Sequence, residues 1–356
     1  MKAYTPGTLV ADRYQIVGSL GRGGMGHVYR ARHLGLHKDV ALKVISTRNV
    51  DQVAARFERE AQAIARLDHP GCVRVLDHGR TAEGAQYLAM ELIEGTTLAT
   101  ALHEGGPFAP ARAASIARSL LAALAHAHDR GVLHRDLKPA NVILPAGAAL
   151  RPVLIDFGLA SLRDAGPLTA DGICLGSPSY VAPERLLGLP HGERSDVYAV
   201  GVILYELLAG APPFLGGSPE EIMQEVLHHP FRPLRALRAD VPAVLEAIVR
   251  RALARDPAHR FADAEEMMSA LDALAAFEWQ VRAGSADGGA GAEAHADVDA
   301  GGAGGADATD DAAKTRSIEI AQLEVIQPSP WSRFWSWLRF GPWRGRLRRL
   351  DAAGSC

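Results

Sequence analysis

Three side chains able to carry chemistry stand close together in the segment 134–141, HRDLKPAN. Asp136 is an acid, Lys138 a base and Asn141 an amide, and Pro139 lies among them. Because proline cannot continue a helix, the segment is predicted to be a loop with a fixed φ at its centre. An apolar helical run precedes this loop and the strand-like VIL follows it, an arrangement that holds catalytic groups rigidly. The alternative interpretation is a surface turn with ordinary charges.

The HRDLKPAN segment resembles the catalytic loop of the bacterial eukaryotic-like (Hanks-type) Ser/Thr protein kinases. Further motifs of that family follow its order: GRGGMGHV at 21–28, VALK at 40–43, DFG at 156–158 and APE at 182–184. Five independent motifs in one order remove most of the support for a surface turn. The resemblance implies an α+β fold of two lobes, with a small five-stranded β lobe that carries helix C and a larger, mainly α lobe.

A glycine-rich turn between two predicted strands leads this series of motifs. YQIVGSL at 14–20 alternates as a strand does, and HVYRARHL continues after GRGGMG. A dinucleotide-binding fold needs a helix directly after such glycines, whereas β-branched and aromatic residues follow here. The resemblance implies a hairpin over the nucleotide phosphates, with Val28 against the adenine. In this hairpin, the resemblance assigns nucleotide binding to five residues: Leu20, Gly21, Gly23, Gly26 and Val28.

The next strand and helix are expected to supply an ion pair. DVALKVI at 39–45 alternates so that Ala41 and Lys43 share one face. By resemblance Ala41 walls the adenine and Lys43 contacts the α- and β-phosphates. Asp51 is predicted to N-cap a helix that ends near Leu67. Glu60 lies on the apolar face of this helix, where a carboxylate needs a cation, and Lys43 is the predicted partner.

The resemblance assigns roles to the segment that joins the lobes and to the catalytic loop. Met90 becomes the gatekeeper, and the backbone of Glu91 and Ile93 the adenine-binding hinge. A strongly apolar helix over 111–130, ended by Gly131, is predicted to deliver the catalytic loop. The roles implied there are proton acceptance by Asp136, contact with the transferred phosphoryl group by Lys138, and Mg²⁺ binding by Asn141 and Asp156.

The segment between DFG and APE is rich in Gly, Ser, Thr and Pro, as activation loops are. Our hypothesis is that phosphorylated Thr169 pairs with Arg135 and orders this loop. Asp171 is either a partial mimic of a second phosphate or an ordinary loop acid. Ser177 stands beside the expected substrate site, where the family usually has Thr. Cys174 is interpreted as an incidental thiol rather than a redox switch.

Two further roles implied by the resemblance are structural. Glu184 of the APE motif is expected to pair with Arg260 of DPAHRF. Asp196, which opens an apolar helix over 197–209, resembles the acid that braces the catalytic loop from below.

Composition limits the class of protein. The chain has 356 residues, a net charge of −3 and three widely spaced cysteines. The charge does not favour nucleic-acid binding, and the odd cysteine count favours a reducing compartment. The first 20 residues have no long apolar core, so no signal peptide is predicted. No uninterrupted apolar run reaches the ~20 residues that span a bilayer.

The predicted catalytic domain covers 12–281, with an N-lobe of about 12–92 and a C-lobe of about 93–281. The region 284–313 consists mainly of Gly, Ala and Asp and has no Lys or Arg, which predicts a disordered acidic linker. Thr309 within it is either a phosphosite or unmodified linker. The tail, 314–356, alternates like a strand at first and then carries four tryptophans and six arginines over 331–349. A membrane interface, a protein groove and the kinase itself are all candidate partners for that stretch.

We therefore expect a Ser/Thr protein kinase that uses ATP and Mg²⁺, with Mn²⁺ as a substitute. Protein substrates and a transient homodimer for autophosphorylation are the expected partners, and no nucleic acid is. The expected location is the cytoplasm, with peripheral attachment to the inner membrane face as a variant. The alternative is a pseudokinase scaffold that acts through its tail. It is disfavoured because all five catalytic positions are filled, by Lys43, Glu60, Asp136, Asn141 and Asp156.

Overall fold

The computed structural model describes residues 3–23, 26–45, 50–147, 151–157 and 178–287. The predictions for several positions lie outside this part of the chain: Gly158, Thr169, Asp171, Cys174, Ser177, Thr309 and the tail 314–356.

The N-terminal lobe is an antiparallel sheet of six strands in the order β1-β2-β3-β4-β6-β5. The strands are β1 (Leu9–Val10), β2 (Tyr14–Gly23), β3 (Gly26–His33), β4 (Lys38–Ile45), β5 (Val75–Arg80) and β6 (Gln86–Glu91). All five predicted strands are present, and β1 adds a sixth at the edge beside β2. A two-residue strand has no periodicity to detect, which explains why the sequence did not predict it.

Helix α1 (Val50–Ile64) packs its predicted apolar face inward, and Phe57, Ala61 and Ile64 are buried. Two predicted bounds are corrected. Asp51 lies inside the helix rather than at its N-cap, and the helix ends before Leu67. The chain from Ile64 to Leu67 continues in tighter i→i+3 turns, so Leu67 is buried at helical spacing although it is not helical.

The C-terminal lobe combines a small sheet with helices. The sheet has the order β7-β8-β9 and consists of β7 (Gly95–Thr97), β8 (Val142–Pro145) and β9 (Val153–Leu154). The helices are α2 (Leu98–Gly105), α3 (Pro110–His128), α4 (Pro183–Leu186), α5 (Glu193–Ala209), α6 (Pro219–His228), α7 (Leu234–Leu237), α8 (Ala243–Ala252) and α9 (Ala264–Asp287). Almost every side chain of α5 is buried, and α3 and α8 pack against it. Helix α5 is therefore the centre on which this lobe is assembled.

Two apolar cores support the site. One lies on the outer face of the N-lobe sheet and contains Tyr14, Leu42 and Tyr87. The other begins on the inner face, with Ile45, Leu88 and Met90, and continues through α1, α3 and α5 into the C-terminal lobe. Because the second core is continuous, the inner face of the sheet and the catalytic loop are positioned on common packing.

The last described helix, α9, extends to Asp287, beyond the predicted domain end at 281 and past Gly284, where the linker was predicted to begin. Ala283 and Ala286 favour this extension, whereas Gly284 within it does not. Within the described residues, no helix is both long and apolar enough to cross a membrane.

Candidate active site

The catalytic loop is held from below by Asp196 of α5. The backbone N–H groups of His134 and Arg135 donate to its Oδ2 and Oδ1 at 2.8 and 3.0 Å. Nε2 of His128, on α3, lies 2.9 Å from Oδ2 and donates as well, because an ionised carboxylate only accepts. Burial alone would raise the pKa of Asp196, but the hydrogen bond and charge of His128 and the backbone N–H groups outweigh burial and lower it. The predicted brace is present in these contacts.

A second buried ion pair fixes the segment after the APE motif. Nη1 and Nη2 of Arg260 donate to Oε1 and Oε2 of Glu184 at 2.8 and 2.7 Å. The hydroxyl of Ser195 donates to Oε1 at 2.5 Å. Burial opposes ionisation of Glu184, yet Arg260 and Ser195 keep its pKa below the usual range. The predicted pair Glu184–Arg260 is therefore present as a bidentate contact.

Inside the loop, the three chemical groups of HRDLKPAN meet. Nζ of Lys138 lies 2.7 Å from Oδ2 of Asp136. Nδ2 of Asn141 donates to the Asp136 carbonyl oxygen at 2.7 Å and to Oδ2 at 3.1 Å. Pro139 opens a 3₁₀ turn, Pro139–Asn141, that ends the predicted loop. The spacing of these residues therefore places an acid, a cation and an amide within hydrogen-bonding distance.

Two residues of the site have left-handed backbone, which costs free energy for residues other than glycine. Arg135 has φ of 64° and Asp156 has φ of 66°. The loop around Arg135 is fixed by Asp196, and the side chain of Arg185 donates to the Arg135 carbonyl oxygen. The fold thus stabilises an unfavourable conformation at both the catalytic loop and the DFG motif.

The predicted ion pair between Lys43 and Glu60 is wrong for this structure. Nζ of Lys43 instead lies 2.8 Å from Oδ1 of Asp156. Glu60 Oε1 lies 3.4 Å from Nη1 of Arg135. Glu60 did need a cation, but the position of α1 brings it to the catalytic-loop arginine rather than to the strand lysine.

The strand register places the remaining predicted nucleotide residues in neighbouring strands of the sheet. Gly21 lies opposite Val28, Val28 opposite Lys43, and Ala41 opposite Met90 in successive strand pairs. Val28 and Ala41 are half-buried, Met90 is buried, and Leu20 is 51% exposed at the rim. These residues thus follow one another across the inner face of the sheet.

Two backbone details refine the predicted assignments. The N–H of Glu91 donates to the carbonyl oxygen of Arg74 at 3.0 Å, so its own carbonyl is the group left for a ligand. Ile93 follows β6 in the connection to the second lobe. At Gly26, φ is +151° and a side chain would collide with the Val44 carbonyl. Glycine is thus required there by the neighbouring strand, whatever the hairpin binds, and Gly23 lies opposite it.

Sequence reasoning missed several groups at the site. His134 is fully buried: its Nε2 donates to the Ile155 carbonyl at 3.0 Å and its ring packs on Phe157. Burial lowers the pKa of His134. Tyr180 donates to Glu206 at 2.6 Å beside a cavity of about 370 Å³ that Lys138 also lines. The interruption of an apolar helix by Glu206 was the one signal that could have indicated this contact.

The residues present suit a hard divalent cation. Because Nδ2 of Asn141 donates to Asp136, Oδ1 is the amide atom that remains for a cation. Asp156 supplies carboxylate oxygens, and Mg²⁺ prefers such oxygens in small number, with phosphates as further ligands. The described residues contain no group of three or more His, Cys, Asp or Glu side chains that could hold a metal without other ligands. The donor set therefore fits Mg²⁺ brought with a nucleotide.

Comparison with known proteins accounts for this arrangement. The family model described as protein kinase domain matches residues 14–271. The chain belongs to the protein kinase family. This kinase is 41% identical to the serine/threonine-protein kinase PknB of Mycolicibacterium smegmatis over 270 residues, which is 74% of the chain and 43% of PknB.

Two other kinases extend the comparison. The serine/threonine-protein kinase pkn3 of Myxococcus xanthus is 38% identical over 75% of this chain and 51% of its own. The crystal structure of the Mycobacterium tuberculosis PknI kinase domain matches with a TM-score of 0.62 and 33% identity, covering 76% of this chain and 99% of that one. The chain thus spans about half the length of these curated relatives, or less.

Proposed function

We propose that the protein is a Ser/Thr protein kinase that transfers the γ-phosphoryl group of ATP to serine and threonine hydroxyls of proteins. The observation that carries this proposal is the grouping of Asp136, Lys138 and Asn141, held by the buried Asp196. The matched relatives are named serine/threonine-protein kinases, which supports phosphoryl transfer to serine and threonine. Each position that the family uses in catalysis holds a side chain suited to that role in this chain. This argues against a pseudokinase scaffold.

The proposed mechanism is alignment with proton acceptance. Asp136 accepts the proton of the substrate hydroxyl, a contribution of about 10²–10⁴-fold in general base catalysis. Lys138, whose Nζ lies 2.7 Å from Oδ2 of Asp136, would neutralise charge on the transferred phosphoryl group. Lys43 contacts the α- and β-phosphates, and Val28, Ala41 and the hinge orient the adenine. Because phosphoryl transfer depends mainly on positioning and charge, the rigid loop is the main requirement.

Mg²⁺, with Mn²⁺ as a substitute, is the proposed cofactor, and it supplies charge neutralisation between the phosphates when bound. Asn141 and Asp156 would hold it. The ion pair of Lys43 with Asp156 occupies one oxygen of that carboxylate. Nucleotide binding would therefore require Asp156 to share its oxygens between Lys43 and the cation.

Activation by autophosphorylation is the proposed regulation. Phosphorylated Thr169 would pair with Arg135, whose guanidinium combines the ion pair to Glu60 with a buried Nε that has no hydrogen-bond partner among the described residues. A buried donor of this kind favours an acceptor from elsewhere in the chain. Ser177 is proposed to lie beside the substrate hydroxyl. Asp171 remains either a partial phosphate mimic or a loop acid.

The proposed partners are protein substrates, a second copy of the chain during autophosphorylation, and an anionic membrane surface or protein groove for 331–349. The tail proposal depends on the clustering of tryptophan and arginine, a composition suited to membrane interfaces. The proposed location is cytoplasmic, with the tail at the inner membrane face.

Phosphate incorporation from labelled MgATP tests the activity, with sites mapped by mass spectrometry. Asp136→Asn should lower labelling at least about 10²-fold, since it removes the general base. The matched control is Asp12→Asn, an exposed left-handed position that asparagine tolerates. Labelling of Thr169 in the wild type supports the regulatory proposal. Nucleotide binding without labelling of the protein or of a generic substrate would indicate the scaffold instead.

A further inference from the structure

Two histidine rings lie against each other where the segment after α1 meets α3. The ring of His69 and that of His126, on α3, have centroids 5.2 Å apart at 35°. The N–H of Gly71 donates to Nδ1 of His69 at 3.0 Å. The N–H of Asp68 donates to Nε2 of His126 at 3.1 Å. Each ring therefore holds one backbone amide of the segment 68–71.

These contacts fix the proton on each ring. A backbone N–H can only donate, so Nδ1 of His69 and Nε2 of His126 must each offer a lone pair. Neutral His69 therefore carries its proton on Nε2, and neutral His126 on Nδ1. A protonated imidazole has no acceptor, so protonation of either ring breaks its backbone hydrogen bond. Protonation of both rings would also place two cations about 5 Å apart.

The charges around the pair do not favour the protonated form. Burial, and then the neighbouring His126, lower the pKa of His69. Burial and then Arg130 lower the pKa of His126, and the opposing carboxylates of Asp68 and Asp129 do not compensate. The Asp68 side chain is 91% exposed and lies 3.7 Å from Arg74, so its attraction is screened.

The amides held by the histidines lead directly to the active site. The Gly71 carbonyl accepts the N–H of Leu154 at 2.8 Å, and the N–H of Val73 donates to the Leu154 carbonyl at 2.9 Å. Leu154 stands two residues before Asp156, which pairs with Lys43. In the other direction, the segment continues from the end of α1, the helix that carries Glu60. It therefore connects α1, α3 and the strand that leads to the DFG motif.

We propose that His69 and His126 form an acid-sensitive clamp: His126 attaches the segment 68–71 to α3 through the Asp68 N–H, His69 closes the turn 69–71 through the Gly71 N–H, and both contacts are lost when the rings are protonated. Histidines that are harder to protonate in the folded state contribute stability above their ordinary pKa of 6.5, and that stability is lost as pH falls below 6.5. Loss of these contacts loosens the segment that joins the end of α1 to Leu154, on the strand that leads to the DFG motif. This consequence rests on the proposed kinase activity: the rate of phosphoryl transfer falls in mildly acidic solution.

Matched amide variants of the full chain test the clamp. The Oδ1 atom of His69→Asn replaces Nδ1, and the Oε1 atom of His126→Gln replaces Nε2, so both acceptors are kept without a titratable ring. Denaturant unfolding is measured between about pH 7.5 and about pH 5.5. We expect the folding equilibrium constant of the wild type to fall about tenfold further than that of the double variant. His37→Asn, an exposed histidine, is the control and should follow the wild type.

Parallel acid profiles of the wild type and the double variant would overturn the proposal. If the double variant folds poorly, ¹⁵N spectra of the wild-type protein provide the test. The clamp is supported if neutral His69 carries its proton on Nε2 and neutral His126 on Nδ1. The backbone amide shifts of Asp68 and Gly71 should also follow the titration of the two rings. The opposite tautomers, or amides that ignore the titration, would disprove it. Neither readout requires phosphoryl transfer, so failure of the clamp and failure of the proposed kinase activity are distinguishable.

Discussion

Two arginine–glutamate ion pairs of this kinase differ in how firmly they are held. Arg260 and Glu184 form two N–O contacts, of 2.8 and 2.7 Å, and their side chains are 0% and 1% exposed. Arg135 and Glu60 meet at 3.4 Å, and their side chains are 27% and 20% exposed. The first pair is inside the C-terminal lobe, and the second joins the catalytic loop to α1.

The difference indicates which parts of the site can change. A buried bidentate pair cannot lose one partner without leaving an uncompensated charge, so it fixes its surroundings. A longer pair with a single contact, between side chains that are not fully buried, costs less to break than a bidentate buried pair. The frame under the catalytic loop is therefore constant, whereas Arg135 and Glu60 can exchange partners. Such an exchange is what phosphorylation of Thr169 would require.

Removal of one partner from the buried pair should give the largest effect. Arg260→Met leaves the Glu184 carboxylate buried beside Ser195 alone, and we expect the free energy of unfolding to fall by about 3–5 kcal/mol. Denaturant unfolding of the full chain measures this loss. The double variant Glu184→Leu with Arg260→Met should recover much of it, because neither charge is then buried. A loss in the double variant as large as in Arg260→Met would show that the unpaired charge is not the cause, and would point to the backbone carbonyls of Ala254, Arg194 and Arg255, to which Arg260 also donates.

The constant frame was the part that the sequence predicted well. The roles of the HRDLKPAN loop, the Glu184–Arg260 pair and Asp196 were all assigned by resemblance of motif positions to the kinase family. Each depends on one lobe, whose partners share one continuous core. A family resemblance is sufficient there, because local preference and packing agree.

Contacts that depend on how separate elements meet were not predictable from spacing. Lys43 lies on β4, and whether it meets Glu60 or Asp156 depends on where α1 is placed against the sheet. Tyr180 and Glu206 are distant in sequence, as are His69 and His126, and no motif connects either pair. The left-handed backbone of Arg135 and Asp156 could not be predicted from the sequence either, because neither residue type requires that conformation.

A smaller effect should come from Ser195, the second side-chain partner of Glu184. Ser195→Ala removes a buried hydroxyl that donates to the carboxylate at 2.5 Å while Arg260 remains. Hydrogen bonds to charged groups contribute about 1.5–3 kcal/mol, so we expect a loss near the lower end of that range in the free energy of unfolding. Ser119→Ala, on the exposed side of α3, is the control and should change little. Equal losses in the two variants would mean that Ser195 does not strengthen the buried pair.

The partly exposed pair should give the smallest change in stability and a separate change in activity. Glu60→Gln removes the charge that faces Arg135, and we expect the loss in the free energy of unfolding to be smaller than the loss of about 3–5 kcal/mol from a broken buried pair. The proposed kinase activity should nevertheless fall, because Glu60 would no longer be able to pair with Lys43 once Arg135 turns to phosphorylated Thr169. Glu58→Gln, exposed on the same helix, controls for loss of charge and should keep full activity. A loss of stability as large as that of Arg260→Met would contradict the comparison, since the pair of Arg135 and Glu60 would then be as fixed as the buried one.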